Sequence, residues 1–138
     1  MMDKFIQTLS AIIAAVCGFL LGKADGLLYA LIVFMVLDYV TGVIVAIKRK
    51  TLNSEIGFTG IAKKVMILVL VTVGHILDCY VIGGGVVCRN ATIGFYIANE
   101  GISILENVGN FIKLPKKLKA VLEQLKSDSD KEDNDHEN

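Results

Sequence analysis

The sequence predicts an all-α integral membrane protein: three to four transmembrane helices, a C-terminal amphipathic helix and a disordered acidic tail. Three observations predict it. The 138 residues are 54% hydrophobic, with no Trp and one Pro, a composition typical of membrane-embedded chains. The run from Gly26 to Ile47 carries a single charge, Asp38, and stops at Lys48, Arg49 and Lys50. As a helix it rises about 33 Å, enough to cross a hydrocarbon core of about 30 Å. Further apolar runs flank it. A buried core helix of a soluble protein is the alternative for any one such run, and their succession argues against it.

The elements follow in order. Phe5 to Gly22 is uncharged and just long enough to span, so the first span is placed at about 5–22. Ser10, Ala14, Gly18, Gly22 and Gly26 recur every four positions, which puts them on one helix face where another helix can approach closely. They are helix-packing candidates, either between copies or within one copy. A cleaved signal peptide is a competing reading of Lys4 plus an apolar run. Gly22 to Gly26 forms a tight turn, and the second span runs over about 26–47.

The stretch 48–64 holds five basic residues and one acid. Asn53 or Ser54 can cap a short helix starting at Glu55, laying Ile56, Phe58 and Ile61 on the membrane surface with Lys63 and Lys64 at the headgroups. The third span, about 65–82, is apolar apart from His75 and Asp78, with Thr72 mildly polar. Gly83 to Gly85 turn the chain. The segment 86–105 is interrupted by Arg89, Asn90, Asn99 and Glu100. It reads as a fourth span with its polar face turned from lipid, or as an interfacial helix. These spans make 1–112 a transmembrane helical domain. Leu114, Leu118, Val121, Leu122 and Leu125 recur at helical spacing, giving a basic amphipathic helix over 113–126. The tail 127–138 has six acids and one Lys and is expected to be disordered.

Formal net charge is zero, so the tail's acidity leaves the rest of the chain about five charges positive. Beside membrane spans that excess fits an anionic lipid face rather than nucleic acid. Lys and Arg concentrate in 48–64 and after 112, so the positive-inside rule places both termini in the cytoplasm with four spans. Cys17, Cys79 and Cys88 form no metal-binding pattern. Cys79 and Cys88 flank one turn, and a disulfide between them is open if that turn faces an oxidising space.

An ionisable group at the centre of a span costs about 2.5–3.5 kcal/mol on insertion scales. Asp38, His75, Asp78, Arg89 and Glu100 are therefore the intramembrane pairing candidates. Depth from the expected cytoplasmic boundaries puts Asp38 opposite His75, and Asp78 near Arg89; a neutral Asp38 in a dry bundle is the other reading of that residue. Asn90, Asn99, Glu100 and Asn107 are candidates for a lumen or a subunit contact, with a polar seam inside one bundle as the alternative. No nucleophile motif, metal set or phosphate loop accompanies these residues, so no enzyme activity, cofactor or metal is expected.

The strings LDYVTG (37–42), SEIGFTGIAKK (54–64), HILDCYVIGGG (75–85), FYIANEGISILEN (95–107) and LPKKLKAVLEQL (114–125), taken in order, resemble the toxin secretion/phage lysis holin family from about Leu31 to Leu125. Members are small membrane proteins, often drawn with three spans, and without established catalytic residues. The resemblance implies a homo-oligomer in the bacterial host's inner membrane that opens timed lesions. These release or activate an endolysin, or export a toxin, and the host lyses. Endolysin or toxin is then a functional partner, and the lipid bilayer and other copies of the chain are physical ones. The competing classes are a small ion or solute channel or transporter subunit, using Asp38, His75 and Glu100 as a path, and a membrane anchor for a partner protein.

Overall fold

The computed structural model describes residues 1–118, 120, 121 and 124. Those residues form helices and turns, with no strand among them. Four helices follow in order: α1 (Met2–Leu21), α2 (Gly26–Lys48), α3 (Ser54–Ile76) and α4 (Val87–Gly109). A π-helical stretch, Leu77–Val81, extends α3.

Each boundary has a local cause. α1 ends at Gly22, whose φ of 76° lies in the left-handed region that glycine enters without steric cost. A Cβ there would also stand 2.9 Å from His75 Nδ1 and 3.0 Å from Arg89 Nε. α2 starts behind Asp25, whose carboxylate accepts the Leu28 amide at 3.0 Å. α3 starts behind Asn53, whose side chain accepts the Ile56 amide at 2.8 Å. Both are N-cap bonds that satisfy donors left free in a first helical turn.

Among the described residues three stretches are long and apolar enough to cross a membrane: Met2–Leu21, Gly26–Lys48 and Ser54–Val81. The expected separate surface helix after Asn53 does not exist. Ile56, Phe58 and Ile61 belong to the same helix as the third span, and the connection shrinks to the few residues between Lys48 and Ser54. Nothing in residues 54–65 breaks a helix, so the Asn53 cap starts one that continues without a stop. α4 covers the expected fourth segment, but its polar residues keep it out of the three apolar stretches. The amphipathic helix expected over 113–126 is described only in part, with residues 116–118, 120, 121 and 124 helical. The acidic tail, 127–138, lies outside the described residues.

α4 packs on both α2 and α3 and most extensively on α2, while α1 leans on α3. The apolar centre is Leu28, Leu31 and Met35 from α2, Ile67 and Val71 from α3, and Ile93 from α4; Leu21, Leu68, Tyr96 and Ile97 pack around it. Inward residues alternate three and four apart on each helix: 28, 31, 35, 38, 42, 45 on α2; 60, 64, 67, 71, 74 on α3, continued by 78 in its π-helical extension; 89, 93, 96, 100, 103, 107 on α4. This is the seam of helices packed in a bundle. Around this apolar centre the outer surface is apolar as well, unlike that of a water-soluble bundle. Asp78, Arg89 and Glu100 are buried, while Phe5, Ile12, Phe19, Val36, Met66 and Phe95 are exposed. Apolar surface outside and charge inside is the arrangement that lipid selects.

Candidate functional site

The three inner seams carry polar side chains at two levels, separated by the layer of Leu31, Val71 and Ile93. At the first level, near the α1–α2 turn, Arg89 is only 1% exposed. Its guanidinium donates to the Leu21 carbonyl at 2.6 Å, the Lys23 carbonyl at 2.7 Å, the Asp25 carboxylate at 2.8 Å and the Asn90 side chain at 3.1 Å. One side chain thus ties the end of α1, the turn and the start of α2 to α4. The Arg89 guanidinium, with the Leu28 amide behind it, holds the Asp25 carboxyl below its ordinary value of 3.8.

Asp78 works on the same level through the backbone. Its two carboxylate oxygens accept the amides of Cys88 at 3.0 Å and Arg89 at 2.9 Å. The N-terminus of α4 has no side-chain cap of its own, so Asp78 supplies it from the π-helical stretch, with a charge of the sign that a helix N-terminus favours. Asp78 and Arg89 do meet, as their depth suggested, but through carboxylate and amide; the guanidinium belongs to Asp25. This meeting needs close backbones. A Cβ on Gly74 would lie 3.0 Å from the Cys88 carbonyl oxygen and 3.1 Å from the Arg89 Cα.

At the second level the Lys64 ammonium bonds both the Asp38 and the Glu100 carboxylates, one from each neighbouring helix. Asn107 donates to Asp38 Oδ1 at 3.4 Å and to Thr41 Oγ1 at 3.0 Å. The expected Asp38–His75 pair is therefore wrong: the partner of Asp38 is Lys64. His75 sits a level away, its ring 3.8 Å from Cys79 Sγ and against Gly22. Lys64 is absent from the pairing candidates because the sequence predicts it at the headgroups. Its position on the seam with Ile67, Val71, Gly74 and Asp78, at four- and three-residue steps, was the signal available. Asp25, by sequence only a turn residue, carries no such signal.

A cleft of about 770 Å³ between α3 and α4 reaches this level and is lined by Lys63, Asn99, Glu100, Ser103 and Glu106 among others. A second, of about 410 Å³, reaches Asp38 and Lys64 from the α2 side. Of the lumen or contact candidates, Asn99 and Glu100 line the larger cleft, Asn107 lines the smaller, and Asn90 bonds Arg89. Of the packing candidates, Gly22 is closely packed. A Cβ added at Gly18 or Gly26 would meet nothing within 4 Å, and Ser10 and Ala14 are exposed. Cys17, Cys79 and Cys88 carry free thiols, so the Cys79–Cys88 disulfide is not formed. Among the described residues no cluster of His, Cys, Asp and Glu could hold a metal.

Chemically, two carboxylates sharing one ammonium form a register lock. Sliding α3 by one residue would turn Lys64 off the seam and leave two carboxylates facing each other, a costly state away from water.

Residues 15–127 match the Bacteriophage holin family. An uncharacterized protein of Listeria monocytogenes is 41% identical over 127 residues, 88% of either chain. An uncharacterized protein of Clostridium perfringens is 48% identical over 105 residues, covering 75% of this chain and 80% of its own. A protein of Bacillus phage phi105 named "Probable holin" is 37% identical over 101 residues, 72% of this chain and 74% of its own. No solved structure matches. The apolar-surfaced helical bundle and a family match over most of the sequence agree, and the chain belongs to the bacteriophage holin family, a family of non-enzymatic membrane proteins.

Proposed function

We propose that the protein works as a holin in the full sense. It accumulates in the inner membrane of a bacterial host, oligomerises, and opens timed lesions that release or activate an endolysin or export a toxin. Family membership and the phage relative support the class of function. The observation that carries the assembly step is α1. It is 20 residues long and contributes no buried residue to its own copy, and among the described residues its face of Ser10, Ala14 and Gly18 has no packing partner. Small residues on a lipid-facing helix favour close approach of another helix, and a second copy supplies one.

For topology we favour four spans with both termini cytoplasmic. Lys48 and Arg49 at the end of α2 bond Asn110 at the end of α4. Asp78, beyond the far end of α3, bonds the start of α4. α4 therefore returns through the full height of α2 and α3. Its polar seam is covered by those helices, which makes a crossing tolerable despite its composition. The positive-inside rule then sets the basic end in the cytoplasm.

The test is induced expression in a bacterial host, with and without a cytoplasmic endolysin, following membrane potential and turbidity. Delayed, abrupt depolarisation with lysis only in the presence of endolysin is the expected result. Accumulation in the membrane with potential and growth intact overturns the reading and favours an anchor.

A further inference from the structure

The end of the bundle opposite Arg89 gathers cations from two distant parts of the chain. The Lys48 ammonium bonds the Asn110 carbonyl and stands 4.4 Å from the centroid of the Phe111 ring. Arg49 donates to Asn110 Oδ1 at 2.6 Å. These contacts bring the basic run 48–50 against the segment that leaves α4. That segment presents Lys113, Lys116 and Lys117, all exposed, as is Lys50. Among the described residues none of these four lysines takes part in an ion pair. Between the two basic groups lie Phe111, 52% exposed, and Ile112, 62% exposed.

We propose that this basic end is a binding site for anionic phospholipid headgroups. Lys50, Lys113, Lys116 and Lys117 meet the phosphates, and Phe111 and Ile112 enter the boundary with the acyl chains. Lys48 and Arg49 act differently: their bonds to Asn110 hold the two basic groups together. Charge complementarity and position argue for this occupant. The site lies where the apolar length of α2 stops and α4 ends beside it, the level of headgroups for any membrane that α2 crosses. Exposed aromatic and aliphatic side chains beside lysines are the combination that interfacial anchors use. The acidic stretch 127–138 of the same chain is the rival occupant, and inorganic phosphate the rival source of the anion. The inference needs the membrane placement of the helices, and it stands or falls separately from lesion formation.

The full chain in detergent is titrated with phosphatidylglycerol or phosphatidylcholine, and bound lipid is counted by native mass spectrometry. A basic residue near an anionic surface strengthens binding about fivefold, so the phosphatidylglycerol excess is expected to be at least that large. It should disappear in the variant Lys50→Gln, Lys113→Gln, Lys116→Gln, Lys117→Gln, whose helicity by circular dichroism should equal that of the parent. It should persist in Lys4→Gln, Lys23→Gln, where exposed lysines elsewhere are removed. Equal retention of the two lipids overturns the proposal, as does equal loss in both variants. Displacement of the lipid by excess inorganic phosphate overturns it in favour of a phosphate site. If the excess emerges only in the full-length variant Asp128→Asn, Asp130→Asn, Glu132→Gln, Asp133→Asn, the acidic stretch is the occupant and the proposal is overturned.

Discussion

Arg89→Gln removes the cation that joins three chain segments, and the structure says which of its bonds matter most. Arg89 is 1% exposed and serves the carbonyls of Leu21 and Lys23, the Asp25 carboxylate and the Asn90 side chain. A glutamine reaches at most one of these acceptors. Removing one member of a buried charged cluster costs about 3–5 kcal/mol, and each buried carbonyl left unpaired accounts for about 1–3 kcal/mol of such a loss. Asp25→Asn is the instructive comparison. The Asp25 side chain is 34% exposed, so water already screens its charge, and asparagine caps the Leu28 amide as well as aspartate does. Its loss should cost no more than about 1 kcal/mol. Equilibrium unfolding of the detergent-solubilised full chain, followed by circular dichroism, measures both variants and their combination. A ratio of about three or more between the two costs is expected, with the double variant close to Arg89→Gln alone. If Asp25→Asn costs as much as Arg89→Gln, the worth of the arginine lies in the ion pair, and the reasoning from the Leu21 and Lys23 carbonyls fails.

Three more outcomes follow from the same geometry. Lys64→Met strands Asp38 and Glu100 without their shared cation and should cost about 3–5 kcal/mol in the same unfolding assay; adding Asp38→Asn and Glu100→Gln should recover most of it, and no recovery would count against the shared-cation reading. Gly74→Ala should lie about 1–3 kcal/mol below Gly18→Ala, because both gain the same helix propensity while only the Gly74 methyl meets backbone, at 3.0 Å; equal stabilities would show that α3 and α4 do not approach so closely. The depressed Asp25 carboxyl contributes stability that is complete above its ordinary value of 3.8 and is lost as pH falls through its lower folded value. Stability measured from neutral pH downward should therefore lose the Asp25 share only in the acid range, and Asp25→Asn should remove that share of the slope.

Local chemistry fixed what was legible in the chain by itself. Apolar run length sets a helix that can span, and this holds whatever the run packs against; α1, α2 and the third span follow from it. Asn53 as a helix start and the turn at Gly83 to Gly85 are likewise readable from neighbours in sequence. The charged residues that matter were also visible, since few ionisable groups interrupt such runs. The pairing among them was not visible, because it depends on where each helix begins. Asp38 lies ten residues before the end of α2, and Lys64 ten residues after the start of α3. Both are therefore about 15 Å from the same end of the bundle. Depth decides the pairing, but it counts from Ser54, where α3 begins, and not from Val65, where the apolar run begins; that difference separates Lys64 from His75. Which carboxylate caps α4, and which carbonyls Arg89 holds, are questions of tertiary structure in a stricter sense. Asp78 and Cys88 are ten residues apart, and Arg89 and Leu21 sixty-eight. Only the packing of α3 on α4 across Gly74 brings the first pair together, and only the return of α4 to the α1–α2 turn brings the second.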